Sequence, residues 1–452
     1  VLCHGKVMGI VHAEKTDKEQ LGLMMTGSLN LTEEKKDKNL GIAKDSNLTG
    51  EQWMEAERKA EEKREKEEKR RVTTMKDNSY KKESPIHVVK RSNTPLWQTI
   101  VIKLSAVFIG LIIGSIFCAL ISQKGNNPFE FFAYLFKGVF GSSTSRGSFV
   151  QKFALLVLVS FALLPAFKMK FWNLGGNGQI LIGALVTTMF MKFMGGKAPD
   201  AVVIILMIVF GVLAGAAWAV IPAVFKAFFK TNESLFTLMM NYIAVGLTSY
   251  FLAAYGDSGS GTLKPISAAN LNIPGVKNSA NLICAIVAAV VFALIFIYFK
   301  FSKHGFEVSV VGESENTARY VGMNVKKVII RTMVLSGAIC GLVGVLLAGS
   351  INHTVSTSTA NNMGFTAIMV AWLGKLDPIM MLVAAFFISF VDKGMSSVRT
   401  NFGLTNNAAS NIVLGVIYFC IIASEFFLEY SIKCRKKATA PYGNYLDKGG
   451  NK

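Results

Sequence analysis

The side chains whose spacing could do chemistry in this sequence are amides rather than acids or nucleophiles. Asn173, Asn177 and Gln179 are interleaved with Gly175, Gly176 and Gly178, and Asn361 and Asn362 stand just before Met363, Gly364 and Phe365. An amide offers two donors and a two-lone-pair acceptor without charge, so such clusters suit holding a neutral, hydrogen-bonding solute rather than making or breaking bonds. Asn241, Thr187, Thr188, Ser160, Ser336 and Thr366 add neutral polar groups inside apolar stretches; each taken alone is first a helix-to-helix contact, and His353 and Trp372 are read the same way. Ionisable groups at membrane depth would mark a proton relay or ion site. Lys103, Lys152, Asp392, Lys393 and Glu425 all fall near enough to the ends of their apolar stretches to snorkel, so neither is expected. Cys3, Cys118, Cys284, Cys340, Cys420 and Cys434 show no CxxC pair and no His partner, which argues against a metal site and a disulfide framework. With no His/Asp/Glu cluster inside an apolar stretch, the chain is not expected to be an enzyme.

What must position the amides is a membrane-spanning helical bundle. Of the 452 residues 51% are hydrophobic and 17% charged, too few charges to cover a soluble surface, and the apolar residues come in blocks. Abundant Phe, Gly and Met suit close helix packing in lipid. Ten apolar segments are expected, at about 99–121, 149–167, 174–194, 200–222, 234–254, 279–299, 330–350, 364–376, 378–394 and 408–428; the eighth is too short to span alone. Lys81, Lys82, Lys90 and Arg91 precede the first, Lys168 and Lys170 follow the second, and Lys226 and Lys230 follow the fourth. Lys300, Lys303, Arg319, Lys326, Lys327 and Arg331 follow the sixth, and Lys433, Arg435, Lys436 and Lys437 the tenth. If every segment crosses once, these fall on one side, which places both termini in the cytoplasm of a multi-pass plasma-membrane protein. The loops 122–148 and 255–278 then lie outside.

The two halves carry matching interruptions. One segment opens at Asn173 and ends at the turn Gly196–Asp200; another opens at Asn361 and ends at the turn Gly374–Pro378. Short, Gly-interrupted segments on opposite faces predict an inverted repeat with a solute path at the midplane, although Gly and Asn there could equally cap helices or permit close packing. The basic loop after the sixth segment contains a short capped helix, Ser314 to Tyr320, closed by Gly322, with Glu315 in its first turn and Arg319 in its last to suit the helix dipole. Such a helix is a natural docking element. Ahead of the bundle, residues 51–82 mix Glu, Lys and Arg so evenly that a solvated linker is expected and nucleic-acid binding is not. No apolar stretch near the start suggests a signal peptide.

The strings FWNLGGNGQ, TNESLFTLMMNYIA, GESENTARYVGMNVKKVIIRTMVLSGAICGLVGVLLAG and GFTAIMVAWLGKLDP, in that order, resemble the permease subunits of bacterial ABC importers for nucleosides and simple sugars, within the broad branched-chain amino-acid permease superfamily. The resemblance covers roughly residues 95–430. It implies a type II importer: two permeases, usually different but related chains, on two cytoplasmic ATPases, fed by an extracytoplasmic binding lipoprotein. It also implies a coupling helix within Gly312 to Gly322, including Glu313, Asn316, Arg319 and Tyr320; the solute path read from the interruptions runs past Asn173, Asn177, Gln179, Asn241, Asn361, Asn362 and Phe365. Where family members commonly read FNIGAEGQ, Asn177 replaces the acid. His4–Val11 and Lys15–Gly27 are similar to the C-terminal tail of the ATPase of the same systems, yet no Walker A motif is present, so ATP is expected on partner subunits alone. The expected organisation is therefore an ATPase-tail remnant at 1–30, a charged segment at 31–94, a transmembrane domain at 95–432 and a basic tail at 433–452, as in a truncated fusion whose ordinary permease portion starts at Met75. An ion-coupled secondary carrier is the alternative that inverted repeats alone would allow.

Overall fold

The computed structural model describes residues 95–434 except 123, 126, 257–262, 277 and 405–407, together with Leu2–Cys3, Lys6–Val7, Arg58, Glu62, Lys66, Lys69 and Ile86–Lys90. Most of the ATPase-like tail, the charged segment and the basic C-terminal tail lie outside the described residues. By contacts the chain forms two units, Val1–His87 with Cys434–Lys452, and Val88–Lys433. In the first, Leu2–Cys3 pairs antiparallel with Lys6–Val7.

The second unit is helical: α1 (Leu96–Ile121), α2 (Pro128–Phe140), α3 (Ser143–Lys168), α4 (Gly176–Met194), α5 (Asp200–Phe229), α6 (Glu233–Tyr255), α7 (Ser279–Phe301), α8 (Lys303–Glu313), α9 (Glu315–Tyr320), α10 (Val325–Leu346), α11 (Met363–Leu373), α12 (Pro378–Asn401) and α13 (Ala408–Glu429). A π-helical turn, Leu347–Asn352, prolongs α10. Eight helices among the described residues are long and apolar enough to cross a membrane, and the chain is an all-α, multi-pass membrane protein. α4 falls outside that set and α11 is a short apolar helix. Leu120, Ile205, Tyr250, Leu294 and Phe419 are each more than half exposed, as lipid-facing side chains must be when no hydrophobic drive exists to hide them.

Several helices start or end beyond the bounds the hydropathy suggests, among them α3, α5, α10 and α12. α3 begins at Ser143 because the Ser142 hydroxyl caps it, accepting from Ser145 N–H at 3.1 Å. α12 runs on to Asn401 rather than stopping near 394. The loop expected over 122–148 accordingly contains α2 and the first turn of α3.

α3 and α10 form the centre. Around α3, the side chains Leu158, Phe161, Leu163 and Leu164 are fully buried against α7, α10, α11 and α12. α10 meets α4 and α5 along glycines: a methyl group on Gly183 would sit 2.6 Å from the Gly341 carbonyl oxygen, and one on Gly215 2.5 Å from that of Gly337. These are small-xxx-small contacts that let backbones touch. At the far end of α10, the loop after α6 pins the π turn, with Leu271 N–H donating to the Gly349 carbonyl at 3.0 Å and the Ser350 hydroxyl to Asn272 Oδ1 at 2.8 Å.

Candidate functional site

The N-termini of α4 and α11 face one another. Asn177, in the first turn of α4, accepts at Oδ1 from Gly364 N–H in the first turn of α11, at 2.8 Å, and the Cα of Gly364 comes within 3.5 Å of where a Cβ on Gly176 would stand. Behind this meeting point lies a buried amide hub. Asn173 Oδ1 accepts from Gly175 N–H at 3.0 Å and from Gln179 Nε2 at 3.3 Å, while Asn173 Nδ2 donates to Ser336 Oγ at 3.2 Å. Asn241 spans the break, accepting from Gly178 N–H at 2.8 Å and donating to the Leu174 carbonyl at 2.9 Å. Thr237 takes Leu174 N–H at 3.1 Å. Asn173 and Gln179 are fully buried and Asn241 nearly so. A broken backbone inside a membrane protein must have its polar groups met by protein or by a cavity. Here side chains meet them: Asn173, Gln179 and Asn241 brace the break, and Asn177 joins the two helices.

Asn361, Asn362 and Phe365 behave differently. All three are exposed, and they line a cavity of about 1300 Å³ bounded by α3, the π turn and the loop after it, α11, α12 and α13. Asn361 and Asn362 hold left-handed backbone, φ 42° and 56°, which Asn tolerates better than most residues. Ser356, Ser358, Thr359, Thr366 and Asn411 add neutral donors and acceptors, and Tyr418 adds an aromatic face.

The cavity also holds an ion pair. Lys152 Nζ lies 2.5 Å from Asp392 Oδ2, and both side chains are 41% exposed. Lys152 and Asp392, expected near the ends of their helices, lie well inside them. Lys152 sits roughly 13 Å along α3 from Ser143, and Asp392 about the same distance before Asn401, at a rise of 1.5 Å per residue. Neither is terminal once the true helix bounds are known. Ser389, on α12 near Asp392, lines the same cavity; it is 3% exposed and its hydroxyl has no hydrogen-bond partner among the described residues. Helical extensions hid from sequence reading how far inside their helices Lys152 and Asp392 lie, and nothing in the sequence singled out Ser389. Opposite charges on two apolar segments, each a few residues inside, were the available signal. Among the described residues no three His, Cys, Asp or Glu side chains are grouped to hold a metal ion.

On the basic side, α9 forms where the sequence places it. The Ser314 hydroxyl caps it through Thr317 N–H at 3.2 Å, Arg319 reaches Glu315 at 3.4 Å, and Gly322 turns the chain at φ 83°. Glu313, Asn316, Arg319 and Tyr320 are exposed, Tyr320 to 93%, as is Val321, which the sequence reading did not single out. Gly312 differs: it is buried in α8, where any side chain would collide with the Lys168 carbonyl. Nearby, Arg331 donates to Glu307 at 2.9 Å, and this hydrogen bond holds the Glu307 carboxyl below its usual range; His304 contacts Arg331 as well. Trp172 and Trp372 stack with centroids 5.4 Å apart.

Residues 146–422 match the family model for the permease component of branched-chain amino-acid transport systems. The chain belongs to that family. The permease is 29% identical over 356 residues to the nucleoside ABC transporter permease protein NupB of Lactococcus lactis subsp. cremoris, covering 75% of this chain and 95% of the relative. It is 28% identical to the guanosine ABC transporter permease protein NupP of Bacillus subtilis, covering 75% and 97%. With the glucose ABC transporter permease protein TsgB13 of Haloferax volcanii it shares 27%, covering 76% and 92%. No solved structure gives a significant match.

Proposed function

We propose that this permease forms the membrane path of an ABC importer for a nucleoside, driven by ATP hydrolysis on partner ATPase subunits and supplied by an extracytoplasmic binding lipoprotein. The likeness to nucleoside and guanosine permeases along nearly their whole length carries this reading. The cavity supports it. It exceeds the roughly 300–1,000 Å³ of a tight small-molecule cleft, its paired charges cancel, and Phe365 and Tyr418 offer faces for a planar base. A simple sugar, in keeping with the relative named as a glucose permease, would meet those rings through its C–H face and cover less of them than a planar base does. A second, related permease chain completes the path.

In this arrangement the basic side is cytoplasmic, both termini lie there, and α9 with Tyr320 and Val321 docks in a groove of the ATPase. Glu313→Ala with Arg319→Ala should then abolish coupled uptake while membrane insertion persists. The deciding experiment is nucleoside uptake into vesicles carrying the full complex. Uptake collapses when the ATPase nucleotide site is disabled and survives a protonophore at constant ATP. The reverse pattern would favour an ion-coupled carrier, and uptake indifferent to the α9 double variant would remove the docking role.

A further inference from the structure

We propose that Lys152, Asp392 and Ser389 form the solute contact of the cavity and that the group they read is a vicinal pair of hydroxyls, the diol of a pentose ring. This rests on the nucleoside reading above and adds which part of the solute the permease itself touches.

The chemistry of the three groups points one way. Asp392 Oδ2 is taken by Lys152, and among the described residues Oδ1 has no hydrogen-bond partner. A carboxylate accepts only, so what it lacks is a donor. The Lys152 ammonium has three protons and uses one in the pair, so it still offers donors to the cavity. Ser389, three residues before Asp392 and hence on the same face of α12, has a buried hydroxyl that neither gives nor receives a bond. An acceptor, a donor and a group that is either thus stand side by side. Neighbouring hydroxyls, each able to donate and accept, complement that set.

Alternative ligands fit less well. The pair contributes no net charge, and a phosphate or carboxylate drawn to Lys152 would meet Asp392 within 2.5 Å of it. A pair serving only to brace α3 against α12 has no use for the 41% exposure of both side chains to the cavity. The neutral base has its own partners in Phe365 and Tyr418 on the same wall system.

The test measures selectivity rather than bare activity. The complete transporter, with ATPase, second permease and binding lipoprotein, is placed in proteoliposomes. Uptake of a ribonucleoside is compared with that of its 2′,3′-dideoxy counterpart, each with the lipoprotein saturated. The wild type should favour the diol roughly tenfold, the factor for losing one hydrogen bond to a charged group. That ratio should fall toward one in Asp392→Asn and severalfold in Ser389→Ala. Exchanging the pair, Lys152→Asp with Asp392→Lys, should restore membrane accumulation without restoring the ratio. A wild-type ratio of one, a ratio untouched by Ser389→Ala, or full rescue by the exchanged pair would overturn the assignment and leave a structural brace. Should Asp392→Asn fail to accumulate, the milder Ser389→Ala still decides. A wild type that takes up no nucleoside would instead remove the nucleoside reading and this inference with it.

Discussion

At the start of α4, the N–H groups of Leu174, Gly175 and Gly178 end on Thr237, Asn173 and Asn241, all buried; at the start of α11, Asn361 and Asn362 stand exposed in a cavity. The local chemistry is the same, Asn beside Gly ahead of an apolar helix. What differs is the covering. α6 packs over the first break and delivers Asn241 to it, whereas the second opens toward the space between α3, α12 and α13. The role of an amide in such a bundle is therefore set by its neighbours in space, and one break serves as a joint while the other serves as a wall.

The largest effect should come from breaking the joint. Asn241→Leu strands the Gly178 N–H and the Leu174 carbonyl, at about 1 to 3 kcal/mol for each unsatisfied buried group. Thermal unfolding in detergent should show a marked fall in midpoint, and membrane accumulation should drop with it. On the wall, the effect should be functional instead. Asn361→Gly and Asn362→Gly keep the left-handed backbone while removing the amide, so uptake should decrease about fivefold, equivalent to roughly 1 kcal/mol, with the melting temperature nearly unchanged. If the glycine variants unfold and Asn241→Leu does not, the division is drawn the wrong way round. Asn177→Ala should fall between the two, losing the single link to Gly364 at about 1 kcal/mol and lowering both stability and uptake modestly.

The smallest effect lies away from both breaks. Because Arg331 holds the Glu307 carboxyl below its ordinary range, Glu307 adds stability in full above the unfolded carboxylate pKa and loses it as pH falls through the depressed folded value. The pair is partly exposed, so the contribution is about 0.5 kcal/mol. Melting of wild type and Glu307→Gln should converge in acid and separate toward neutrality; parallel curves at every pH would remove this contribution.

Much of this was legible beforehand. The apolar blocks, the short eighth segment and the capped helix α9 followed from hydropathy and from Ser314, Glu315, Arg319 and Gly322. Which amides line the cavity was not, because Asn241 lies 67 residues from the carbonyl it meets, and no periodicity encodes that meeting. The ion pair was hidden for a different reason. Segment ends drawn by hydropathy stop where polar residues begin, but α3 starts at the Ser142 cap and α12 continues past polar Ser396, Ser397 and Thr400, so residues at the edge of an apolar block were well inside a helix. Gly312, the first residue of the implied coupling helix, belongs instead to α8, because no sequence pattern shows the Lys168 carbonyl packed against it.

The glycine seam has a mechanical consequence. Where Gly341 lies against the Gly211 carbonyl and Gly337 against that of Gly215, there is no side-chain cushion over which one helix could slide. A shift of one turn would drive a Cβ into a carbonyl oxygen, so α4, α5 and α10 are geared together as a stator. The same close approach recurs between α2 and α12, where a methyl group on Gly138 would sit 3.0 Å from the Gly394 carbonyl oxygen, with Phe390 against Phe136 and Phe386 against Phe149 filling the contacts of α12 with α2 and α3 on either side.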